Sequence, residues 1–272
     1  MVDEQLFSDK PRNRIAAAGA LDESARRAVL DRLAFDAPYK PWPRGMPGSV
    51  NPLLVVVGVS PGDSPAADQA AFLSDYTPTF GEPAAGFKYP DTSHYWQKVR
   101  LLSRELLRIW DSTLTEDECL ALTSHLNLGT GMFGSASMAA IELEVVRWVS
   151  ATILRFHARV VIGLGLIEFL TSPRRNDLRT AWNEGGLMVA WTVPNVLTRG
   201  AFRFRSFVAR GIDERTIQVL LWPNHPSRVP FAGRGEIGGA WHRSVLAAAE
   251  FLRTCKFDPI GEFCGDPGGP HS

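Results

Sequence analysis

Three short segments of the chain gather groups able to bind and polarise a small polar ligand. Gly58–Pro65 reads GVSPGDSP and carries the Ser60 hydroxyl and the Asp63 carboxylate. Asn127–Gly134 opens on a carboxamide. Pro223–Pro230 reads PNHPSRVP and carries the imidazole of His225, the hydroxyl of Ser227 and the guanidinium of Arg228. A carboxylate or hydroxyl can hold a water, a carboxamide donates and accepts at once, and an imidazole can stabilise developing negative charge. Each residue also has a plain structural use. Asn127 before a glycine can cap a strand or make a turn, Asp63 can form an Asx-turn or cap a helix, and His225 can pack a loop. The three segments do not by themselves name a reaction.

What joins them is the kind of element that precedes each. Leu53–Val57 (LLVVV) is a continuous apolar, largely β-branched run, the signature of a strand buried on both faces in a parallel sheet. Ser124–Leu128 reads as a short strand, Arg159–Leu164 repeats the buried-strand signal, and Gln218–Trp222 is a further strand. All three polar loops therefore leave the C-terminal end of an expected strand, the edge at which open α/β sheets bind ligands. Helices are expected at Asp22–Phe35, Trp96–Trp110, Ile141–Phe156, Leu166–Leu170 and Gly239–Arg253. A further strand is expected at Leu187–Val193. In Trp96–Trp110, Val99, Leu102, Leu106 and Ile109 form the apolar stripe, with Lys98, Arg100, Arg104 and Arg108 outside it. Residues 66–95 carry no sustained period and read as a long functional loop. Residues 1–20 are expected to be loose.

Strands alternating with helices predict an α/β fold, a three-layer α/β/α sandwich around a central, mostly parallel sheet. The expected organisation is an N-terminal extension over 1–50 with one helix, a single domain over 51–256 and a flexible tail over 257–272. No stretch approaches the ~20 apolar residues of a membrane span, and the polar N-terminus does not read as a secretory signal, so a cytoplasmic location without membrane contact is expected. The three cysteines (Cys119, Cys255, Cys264) lack the spacing of a disulfide framework or of a zinc or iron–sulfur site. No metal and no cofactor is expected. The formal net charge is zero, which argues against a non-specific nucleic-acid coat but not against a local basic face. Such a face is suggested between Arg199 and Arg234, where seven arginines meet only Asp213 and Glu214.

The ordered motifs resemble those of the uracil-DNA glycosylase superfamily. GVSPG (58–62) is similar to that family's first motif, HLNLG (125–129) falls where it places a strand-end asparagine, VVIGLG (160–165) resembles its third strand, and NHPS (224–227) resembles its His-Pro-Ser loop. GFKYPDTSHYWQKV (86–99) is similar to the aromatic loop and helix of the mismatch-specific branch. The span runs from about 50 to about 255, in the family's order.

The resemblance implies a monomeric, metal-free base-excision repair glycosylase acting on uracil-containing DNA by base flipping. It gives His225 the oxyanion on the departing base and Asn127 the reading of its amide edge. Phe87 or Phe80 would stack on the base, beside the backbone of Gly58 and Gly62. Ser227, Arg228 and Arg199 would contact phosphates. The first motif departs from the family, which carries Asp or Asn before the proline, or Glu one residue earlier, where this chain has Ser60 and Val59. Asp63 is the nearest carboxylate that can position a water. Gly62 stands where the most uracil-selective members have a tyrosine against thymine's methyl group. A catalytically silent uracil-binding protein of the same fold is the alternative. A nucleotide-processing enzyme on another doubly wound fold is less well supported, because neither a P-loop lysine nor Gly-x-Gly-x-x-Gly is present.

Overall fold

The computed structural model describes residues 5–22, 24–25, 28–29, 51–59, 94–128, 141–166, 170, 172–189, 195–199, 202–222 and 239–254. Its helices are α1 (Pro11–Gly19), α2 (His94–Leu107), α3 (Glu116–Ala121), α4 (Leu143–Arg155), α5 (Asn176–Glu184) and α6 (Ala240–Thr254). Its strands are β1 (Leu54–Gly58), β2 (Thr123–Asn127), β3 (Val160–Leu164), β4 (Leu187–Val189), β5 (Asn195–Arg199), β6 (Phe202–Gly211) and β7 (Thr216–Trp222). All seven strands form one sheet in the order β2-β1-β3-β7-β6-β4, with β5 also paired to β6. The first four are mutually parallel, and β4, β5 and β6 add an antiparallel flank.

The apolar runs become the buried parallel strands because both of their faces are covered. Val55, Val57, Val161, Val219 and Leu221 meet α4 and α5 on one side. Leu54, Val56, Ile162, Leu164, Leu220 and Trp222 meet α2 and α6 on the other. This arrangement is an α/β fold consistent with three layers. Among the described residues no helix is long and apolar enough to cross a membrane.

The topology fixes where a ligand can enter. The chain leaves β1 toward α2 on one face and leaves β2 toward α4 on the other, while β3 lies on the far side of β1 from β2. The strand order therefore reverses between β1 and β3, and in open α/β sheets such a reversal is where ligands bind, beyond the C-terminal ends of the strands.

Several elements differ from the sequence expectation. Residues 11–19 are helical rather than loose, with Pro11 in the first turn, where its missing N–H costs nothing. The helix expected from Asp22 is seen at residues 24–25 and 28–29, and Asp22 Oδ1 accepts the Ala25 N–H at 2.7 Å, as a cap does. The strand expected over 187–193 spans Leu187–Val189, and 190–194 lie outside the described residues, as do 167–169 of the short helix expected after β3. Lys98, expected on the solvent side of α2, is only 1% exposed, because Trp241 of α6 closes over that turn and donates its indole N–H to the Lys98 carbonyl at 3.1 Å. Burial pulls the Lys98 ammonium below the usual lysine range.

Candidate functional site

Register aligns the C-terminal ends of the four parallel strands into one row. Gly58 pairs with Asn127 across β1 and β2, and Leu164 pairs with Trp222 across β3 and β7. The pairing of Val57 with Gly163 puts Gly58 and Leu164 at the same level. The row reads Asn127, Gly58, Leu164, Trp222. At ~4.8 Å per strand its ends lie about 14 Å apart. Leu164 and Trp222 belong to the core beneath α2 and α6, so Gly58 and Asn127, in the same row, are on that face too.

Asn127 is the chemically distinctive member. It is 3% exposed, yet its Oδ1 is buried with no hydrogen-bond partner among the described residues. A buried carbonyl oxygen without a donor costs roughly 1–3 kcal/mol, so its persistence needs a reason. The space it occupies exists because position 58 is glycine. A Cβ there would lie 2.7 Å from Asn127 Oδ1 and 3.5 Å from His125 Cε1. Gly58 and Asn127 are thus packed against each other as one structural unit.

His125 was missed as a site residue. It is two residues back on the same face of β2, 4% exposed, and its ring borders the same point above Gly58. The signal lay in the strand's composition. Thr123, Ser124, His125 and Asn127 are polar residues in a five-residue strand that is buried throughout. Thr123 is accounted for by its hydroxyl bond to the Cys119 carbonyl at 2.8 Å, a bond to the end of α3 rather than to a ligand.

Beyond the other end of the row, Gly165 has φ +71° and donates its N–H to the Trp222 carbonyl at 3.1 Å. That left-handed turn needs glycine and ties the exit of β3 to the exit of β7. The Trp222 indole N–H donates to Ser244 Oγ at 2.7 Å, and its ring lies 6.1 Å from that of Trp241. Trp222, the last described residue before the His-Pro-Ser segment, is therefore anchored on both backbone and side chain.

The structure brings Gly58 and Asn127 together and places Arg199 at the end of β5, for which only the backbone is described. His225, Asp63, Ser60, Gly62, Phe80, Phe87, Ser227 and Arg228 lie outside the described residues. Among the described residues, the chain is thus an α/β sheet protein with a buried asparagine packed over a glycine at the C-terminal edge of its sheet. No family model, no curated protein and no solved structure matches the chain.

Proposed function

We propose that the chain is a monofunctional glycosylase that hydrolyses the N-glycosidic bond of uracil, or of a related deaminated base, in DNA. The observation that carries this reading is the buried Asn127 carboxamide, with an acceptor left unpartnered among the described residues, over a glycine at the sheet's switch point. A carboxamide accepts from uracil N3–H and donates to O4 in one contact, which fits an acceptor that the surrounding protein leaves open. Asn127 and Trp222, the residue that leads into the segment carrying His225, stand about 14 Å apart at the same edge of the sheet.

In this reading the nucleotide is flipped out of the stack, and Phe87 or Phe80 stacks on the base beside Gly58 and Gly62. The C1′–N1 bond breaks with its electron pair leaving on the base, whose oxyanion accepts a hydrogen bond from His225. Water held by Asp63 or Ser60 adds to the sugar cation at C1′ and loses its proton to solvent or to the Asp63 carboxylate. Ser227, Arg228 and Arg199 hold the flanking phosphates. No cofactor enters the step, and the enzyme acts as a cytoplasmic monomer.

Ser60 supplies no full negative charge where the resembled family has Asp or Asn, and this favours one second reading. A silent protein would retain uracil-containing DNA without releasing the base. The test is incubation of the chain with labelled uracil oligonucleotides, single-stranded, U:A and U:G, followed by alkali. Strand breaks at the uracil support the glycosylase. Retention of uracil DNA over plain DNA without breaks supports the silent binder, and neither result rejects both.

A further inference from the structure

A carboxamide that reads the edge of a base has to be presented in one direction. The backbone beside Asn127 is tied down, since Leu128 donates its N–H to the Gly58 carbonyl at 3.0 Å and accepts the Glu142 N–H at 3.0 Å. The side chain is a different matter. Its Oδ1 has no hydrogen-bond partner among the described residues, and the last torsion of an asparagine is broad, without sharp staggered wells. Such a carboxamide keeps one direction only if its packing selects it.

That packing comes from one row deeper in the sheet. On the same face, the row two residues below Asn127 reads His125, Val56, Ile162, Leu220. The last three are fully buried aliphatic residues of the core beneath α2 and α6. His125, 4% exposed, is the polar member of a row that is otherwise core. Its register partner is Val56, but its ring leans along the strand toward Gly58, two residues further on. Cε1 and Nε2 lie 3.5 and 3.7 Å from the point where a Gly58 Cβ would stand, and Asn127 Oδ1 lies 2.7 Å from it. The imidazole edge and the carboxamide oxygen therefore converge on one spot over the Gly58 backbone. A valine at position 125, like the one beside it in the row, would be too short to reach that spot.

We infer that His125 is a positioning residue, whose ring is the floor that fixes the direction of the Asn127 carboxamide and so the edge of the base that is read. It acts by reach and bulk, and the role requires no bond from its nitrogens. The inference rests on the glycosylase reading for what the carboxamide contacts, but not for how the carboxamide is held.

The experiment follows hydrogen exchange of side-chain amide protons by NMR in the full chain, with the Asn127 pair identified by its loss in Asn127→Ala. The Asn51 amide, which donates to the Leu6 and Arg14 carbonyls at the opposite end of the sheet, is the internal reference. His125→Ala speeds exchange at Asn127 by at least about tenfold and leaves Asn51 unchanged, as a local loosening does. His125→Phe keeps a ring of similar reach and restores slow exchange at Asn127. Should His125→Phe fail to fold, His125→Met, of similar reach but unbranched, takes its place. Uracil excision follows the same order, down about tenfold in His125→Ala and close to wild type in the rescuing variant. Unchanged exchange at Asn127 in His125→Ala, an equal loss in the alanine and rescuing variants, or faster exchange at Asn51 as well overturns the inference. A wild type that releases no uracil but shows this exchange pattern refutes the glycosylase alone. Uracil release with exchange at Asn127 unmoved by His125→Ala refutes the positioning role alone.

Discussion

The two ends of the parallel sheet each bury a polar side chain, and they treat it in opposite ways. At the N-terminal end, Arg14 of α1 is fully buried and saturated. Its Nε donates to the Ser8 carbonyl, Nη1 to those of Asn51, Pro52 and Phe156, and Nη2 to those of Phe7 and His157, at 2.5–3.3 Å. Asn51 returns the favour, donating its amide to the Leu6 and Arg14 carbonyls. Burial pushes the guanidinium down to about 9, which leaves it charged at neutral pH. At the C-terminal end, Asn127 is as deeply buried but keeps an acceptor open among the described residues. A saturated buried polar group is a fastener. An unsaturated one is a stability cost that a ligand can offset. In the glycosylase reading, the open acceptor of Asn127 is what the ligand fills.

The largest effect is expected where the network is full. Arg14→Met strips donors from six buried carbonyls and should lower the unfolding free energy by at least about 3 kcal/mol in urea denaturation. Base release per folded molecule stays unchanged. A loss under about 0.5 kcal/mol would mean that the fastener is not one.

At the other end, Gly58→Ala drives a methyl group against Asn127 Oδ1. Overpacking there should cost about 1–3 kcal/mol and displace the carboxamide, so excision falls more than stability explains. Equal activity in the alanine variant would separate Gly58 from the site.

A smaller effect concerns Cys119, whose thiol is buried on α3 and pushed up to about 11. The folded chain keeps that proton between about pH 9 and about 11 while the unfolded chain releases it, so stability falls as pH rises through this window. Cys119→Ala should show a shallower alkaline decline, and native Cys119 should resist alkylation at neutral pH in peptide mapping. Ready labelling would contradict its burial.

The same contrast explains what was legible in the sequence. The strands β1, β3 and β7 were plain in LLVVV, VVIGL and QVLLW, because a strand covered on both faces has to be apolar throughout. Glycine at 58 and asparagine at 127 were legible as motif residues, but their mutual contact depends on the register between β1 and β2. α1 was not legible, since its anchor is a single arginine whose partners come from residues up to 143 positions away. Lys98 was misplaced because residue type outweighed its position one turn from the start of α2, under Trp241. α3 carried a signal in Thr115 and Glu118, which form a capping box. The alternation of Phe202 to Arg205 was likewise a strand signal for β6, behind a charge density that read as surface.

The central claim is that the open carboxamide and the His225 segment act on one ligand while contributing little to the fold. Single-turnover excision of uracil by wild type, Asn127→Ala and His225→Ala, set beside their unfolding free energies, tests it directly. The account predicts that the rate falls by about 10²–10³-fold in His225→Ala and by at least about tenfold in Asn127→Ala. Each variant should keep its stability within about 1 kcal/mol of wild type. Full activity in either variant, or a loss that only tracks unfolding, would contradict it.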